Sequence, residues 1–101
     1  ITEGNVPDLT AKLQQRWRKS IPDVADRVRF VPQAKGSEYA SLLAQADVML
    51  DPIDFGGVNT TYDALACGKV VVTLPSEFQR TRYAAACYQL MGITAPIARS
   101  E

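Results

Sequence analysis

"DPIDFGGVNTTYDALACGKVVVTLP" occupies residues 51–75, and its two ends have the same character. "KVVVTLP" (69–75) is β-branched and apolar on both faces, the pattern of a central parallel strand. "DVMLDP" (47–52) reads as a second strand of the same kind. Between them, Asn59 or Thr60 stands where a helix N-cap belongs. That helix runs to Cys67, with Gly68 as the left-handed residue just past its end. Strand, loop, helix and strand in this order predict a parallel crossover unit.

The flanking sequence repeats the alternation. From Pro7 to about Ser20, Leu9, Leu13, Trp17 and Ile21 recur every four residues, predicting a helix with Trp17 in the core. Arg16, Arg18 and Lys19 suit its negative end. "RVRFVP" (27–32) predicts a short strand ended by Pro32. Ser37 is placed to cap a helix with Glu38 in its first turn and Tyr39, Leu42, Leu43 and Ala46 on one face. A last helix is expected from about Glu77, a first-turn acid, with Tyr83, Ala86, Cys87 and Leu90 on one face and Gly92 at its end. The class is α/β, a Rossmann-like parallel sheet with helices on both faces.

The 101 residues suit one domain, 1–101. The opening "ITEG" reads as a strand end running into a turn, so a partial domain cut from a longer chain is expected. Lys plus Arg and Asp plus Glu number 11 each, without the basic excess of a nucleic-acid module. No run approaches the ~20 apolar residues of a membrane span. The chain has no histidine, which removes Ser-His and Cys-His chemistry and the commonest metal ligand. Its two cysteines, Cys67 and Cys87, read as small buried hydrophobes in a reducing compartment, hence the cytoplasm.

Ligands of open α/β sheets bind beyond the carboxyl ends of the strands. Three loops leave such ends here: 32–36, 51–59 and 75–77. The middle loop is the richest. Gly56 and Gly57 permit close backbone approach and positive φ. Asn59, Thr60 and Thr61 put amide, hydroxyl and free N–H groups at a helix N-terminus, which favours phosphate. Asp63, one turn on, is placed to accept hydrogen bonds from a sugar diol. Thr60 with Asp63 also reads as a capping-box variant that needs no ligand. The glycine spacing matches neither a dinucleotide fingerprint nor a P-loop. Lys69 reads as solvent-facing.

The order of motifs adds a resemblance. A-D-V-x-L-D-P, then F-G-G-x-N-T-T-Y-D-A-L-A-x-G, then V-V-T-L-P, an acid and Arg80-x-Arg82 resemble the nucleotide-sugar-binding, C-terminal lobe of GT-B glycosyltransferases. The likeness is to the O-linked N-acetylglucosamine transferase and SPINDLY-like group and covers about residues 27–92. It implies diphosphate contacts at Gly56, Gly57, Asn59, Thr60 and Thr61, with the ribose on Asp63. Gln33, Ala34, Lys35 and Tyr39 would lie near the base, and Arg80 and Arg82 would touch the donor. Tyr39 also reads as core-facing, since it starts the apolar face of its own helix.

Where animal members carry a lysine and a histidine near the base, Gly36 and Tyr39 stand here. Val58 replaces a histidine before the threonines. The implied substrate is a UDP- or GDP-linked sugar, with no cofactor and no metal. The implied reaction is glycosyl transfer to protein Ser or Thr. An acceptor lobe and tetratricopeptide repeats would belong to the parent chain, and the isolated piece is expected to be inactive. The alternative is a non-catalytic scaffold descended from such a lobe. A receiver domain is excluded because no acids cluster at the first strand end.

Overall fold

A computed structural model describes residue 1 and residues 7–100. Residues 2–4 of "ITEG" lie outside the described residues. The chain divides into two compact units, Ile1–Gly36 and Ser37–Glu101.

In the first unit, helix α1 spans Pro7–Ser20, with Asp8 in its first turn and Arg18 and Lys19 in its last, charges that complement the helix dipole. Trp17 is half-buried, its ring stacked on Phe30 at 5.4 Å with an interplanar angle of 19°. Leu9, at the start of the same stripe, is exposed. A 3-10 turn over Ala25–Arg27 follows. The expected strand at 27–32 does not form as a ladder. Only Val31 takes a bridge conformation, donating its N–H to the Ile1 carbonyl at 2.9 Å, while the Ile1 amine donates to the Arg29 carbonyl at 3.1 Å. Pro32 has no N–H with which to continue the pairing.

The second unit carries the crossover. Helix α2 is Ser37–Gln45, strand β1 Val48–Leu50, helix α3 Asn59–Ala66, strand β2 Val70–Val72 and helix α4 Tyr83–Leu90. β1 and β2 are parallel, with Val48 opposite Val70, Met49 opposite Val71 and Leu50 opposite Val72. Ser37 is thus the first residue of α2. The predicted face of α2 is the inner one, with Leu43 buried and Tyr39, Leu42 and Ala46 half-buried. Leu43, Ala64, Val71, Ala84 and Tyr88 form the core, flanked by Tyr39, Met49, Leu65 and Ile97. Gly68 closes α3 at φ +68°, a conformation open to glycine at little cost.

The sheet is packed on one face. Val71 is fully buried, whereas Val48, Val70, Val72 and Leu50 are exposed, Leu50 to 73%. The apolar character on both sides of "KVVVTLP" is therefore used on only one side among the described residues.

The start of α4 also differs from expectation. A 3-10 turn, Gln79–Thr81, precedes it, and Glu77 lies in a bend before that turn rather than in the first helical turn. The Thr81 hydroxyl accepts the Ser76 N–H at 2.9 Å and donates to the Phe78 carbonyl at 2.9 Å. Such side-chain bonds compete with the helical ladder. The buried face of α4 is Ala84, Ala85 and Tyr88, and Leu90 is exposed.

Tyr88 closes the outer edge of β2, accepting the buried Val71 N–H on its hydroxyl at 2.7 Å. Farther along, Thr73 bridges in parallel to Ile97. Among the described residues, no helix is long and apolar enough to cross a membrane. Tyr88→Phe strands a buried N–H, so unfolding in urea is expected to show a loss of about 1–3 kcal/mol. An unchanged midpoint would refute this role for the hydroxyl.

Candidate functional site

The site is built where β1 ends. Asp51, the first residue past the strand, is buried and extends the pairing by donating its N–H to the Val72 carbonyl at 2.9 Å. Its carboxylate faces the following loop. Oδ1 accepts the Gly57 N–H at 2.9 Å, and Oδ2 accepts the hydroxyl of Thr73, just beyond β2, at 2.9 Å. One side chain thus ties together both strand tips and the approach to α3. Sequence reading passed over Asp51 and Thr73. The available signal was an acid closing an apolar strand five residues before Gly56.

Gly56 and Gly57 are needed for space. Neither has positive φ, which among the described residues is taken by Gly36, Gly68 and Gly92, so the positive φ expected of them is corrected. A Cβ on Gly56 would lie 3.0 Å from the Arg80 carbonyl oxygen and 3.0 and 3.2 Å from the Asp51 carboxylate oxygens. On Gly57 it would collide with the Thr60 hydroxyl. The Gly56 N–H already donates to the Arg80 carbonyl at 2.9 Å.

The capping expected of α3 is not the one observed. The N-cap residue is Val58, which offers no side-chain cap, and the first helical bond runs from the Tyr62 N–H to the Val58 carbonyl at 3.1 Å. Asn59 and Thr60 are exposed first-turn residues. Thr61 is fully buried, its hydroxyl donating to the Gly57 carbonyl at 2.7 Å. First-turn N–H groups lack intrahelical acceptors, so those of Asn59 and Thr60 are left for water or a ligand. Of the five residues assigned to diphosphate, Gly56 and Gly57 use their N–H groups internally and Thr61 its hydroxyl.

Both arginines hold backbone. Arg80 Nε donates to the Asp54 carbonyl at 2.8 Å, with its guanidinium 4.3 Å above the centre of the Phe78 ring. Arg82 Nη2 donates to the Glu77 carbonyl at 2.7 Å. The two therefore brace the 51–57 and 76–82 loops, and both remain exposed.

Tyr39 is half-buried against the core. Its phenol is held above the ordinary 10.0 by burial first, then by the negative charges of Asp63 and Cys67. Asp63 is exposed on α3 and acts on Tyr39 through that charge. Gln33 and Lys35 are exposed and Ala34 half-buried, all in the first unit. That unit has a cavity of about 180 Å³ lined by Gln14, Trp17, Arg18, Ala25, Asp26 and Val28; none of these is a predicted site residue.

Two smaller expectations are corrected. Both cysteines are free, but Cys67 is exposed and Cys87 only half-buried, because Cys67 lies at the C-cap of α3 rather than on its inner face. Lys69 does not point into solvent. Its amine donates to the Ala44 carbonyl at 2.8 Å, satisfying an end carbonyl of α2.

The fold has a counterpart among solved structures. The chain is similar to a point mutant of the O-GlcNAc transferase of Thermobaculum terrenum, with a TM-score of 0.82 and 21% sequence identity. The similarity covers 94% of this chain and 18% of that one. The fold is that of a partial Rossmann-like α/β lobe of the GT-B glycosyltransferase type. More narrowly, it is O-GlcNAc transferase-like in fold. No family model and no curated protein matches the sequence.

Gly56→Ala presses on backbone and on a buried carboxylate, whereas Gly57→Ala presses on a hydroxyl that is free to rotate. Thermal unfolding is expected to show Gly56→Ala losing about 1–3 kcal/mol and Gly57→Ala distinctly less. The reverse order would contradict the packing described here.

Proposed function

We propose that this chain is the donor-binding part of a glycosyltransferase that transfers a sugar from a UDP- or GDP-linked donor to Ser or Thr of a protein. The observation that supports this most is the start of α3. Its N-cap side chain leaves the first-turn amides unblocked, and Asp51 holds that start against the tips of both strands.

In this reading the diphosphate meets the N–H groups of Asn59 and Thr60 and the Thr60 hydroxyl. The helix dipole favours its negative charge there. Asp63, one turn along the exposed side of α3, accepts hydrogen bonds from the ribose hydroxyls. Tyr39 serves the base, and the free guanidinium nitrogens of Arg80 and Arg82 add positive charge for the departing diphosphate. These fixed donors act where charge develops as the glycosidic bond breaks.

The acceptor site and the general base belong to the remainder of a longer cytoplasmic enzyme, with tetratricopeptide repeats among its other parts. The 101 residues alone do not turn over, and they take neither nucleic acid nor membrane as a partner. The structural neighbour is more than five times as long by its 18% coverage.

Titration with UDP and with GDP, followed by amide NMR, tests the proposal. The Asn59 and Thr60 amides are expected to move with one nucleotide, and Asp63→Ala to weaken that binding about tenfold. Unmoved amides with both nucleotides would favour a non-catalytic scaffold.

A further inference from the structure

Helix N-termini are ordinarily capped by a side chain at the N-cap that accepts an N–H from the first turn. Such a cap on α3 would occupy the amides that a diphosphate needs. Here the N-cap position holds Val58, at φ −101° and ψ −70°, outside the extended region usual for that position. The negative group comes instead from Asp51, and it bonds the Gly57 N–H, one residue before the N-cap. The helix start gains a nearby anion without losing its first-turn donors.

The carboxylate is held from both sides. Thr73 fixes Oδ2 from beyond β2, and Gly56 passes close enough over both oxygens that no larger residue fits without displacement. The Gly56 N–H is held in turn by the Arg80 carbonyl. These contacts that shape the turn are made within the protein itself.

We propose that Asp51 is the positioning residue of the diphosphate site: a buried carboxylate that anchors the turn before α3 from the strand tip and leaves the Asn59 and Thr60 amides open. This rests on the donor-site reading above. Asp51 touches no part of the nucleotide and acts through Gly57.

The test compares variants of the protein in UDP and GDP binding, melting temperature and the Gly57 amide resonance. Asp51→Asn keeps an oxygen for Gly57 and an amide for the Thr73 hydroxyl, and is expected to bind within about threefold of the parent. Asp51→Ala removes both links. Its affinity is expected to fall about tenfold or more, and its Gly57 amide to lose its carboxylate-bonded shift and its protection from exchange.

Leu43→Val, a core change that removes none of the hydrogen bonds to Asp51, is expected to lower the melting temperature while leaving affinity unchanged. Should Asp51→Ala fail to fold, Thr73→Val removes one anchor and carries the same comparison, with weakened binding expected. Folded Asp51→Ala or Thr73→Val binding as the parent does would overturn the positioning role. So would losses that only track the melting temperature, as matched by Leu43→Val. A parent protein that binds neither nucleotide would instead overturn the donor-site reading, and the role of Asp51 with it.

Discussion

A buried carboxylate with both oxygens engaged governs the second unit. Burying an ionised group is costly unless hydrogen bonds replace its water, and Asp51 finds them in the Gly57 N–H and the Thr73 hydroxyl. Meeting that requirement fixes three things together. Thr73 must lie level with Asp51 at the strand ends, the loop must double back to bring Gly57 over the carboxylate, and residue 56 must have no side chain. The direction in which α3 leaves the sheet follows from these constraints.

The opposite wall of the site is made of backbone clasps. Arg80 contributes twice, through its side chain to Asp54 and through its carbonyl to Gly56. Arg82 secures Glu77, and the paired hydroxyls of Ser76 and Thr81, 2.9 Å apart, tighten the turn between them. Each arginine keeps part of its guanidinium uncommitted, so structural anchoring and anion attraction are compatible in one side chain. Phe78, stacked against Arg80, limits where that charge can swing.

Much of this fold could be read from local pattern. The crossover from β1 through α3 to β2, the inner face of α2 and the left-handed Gly68 all depend on periodicity or on one residue's conformational freedom. What escaped depended on which polar and backbone groups find each other in the folded chain. Residues 27–32 have strand character, but Val31 pairs only with Ile1 among the described residues. The helix written into "EFQRTRY" starts late because Ser76 and Thr81 divert its first turn. At the candidate site, the glycine loop and the residues around it stood out by composition. Their division of labour did not: Thr61 turns inward onto the Gly57 carbonyl, and Asp51 works unseen because its carboxylate is shared between Gly57 and Thr73 across the strand tips.

Along β2 the outer edge is already taken. The Tyr88 hydroxyl sits on the Val71 amide, and past it Thr73 accepts the Ala98 N–H and donates its own to Pro96. Unsatisfied backbone along a sheet margin is what recruits foreign strands into runaway assemblies. A phenol and a short return segment occupy the Val71 and Thr73 amides, so those two donors of the valine-rich strand are not offered to a foreign strand.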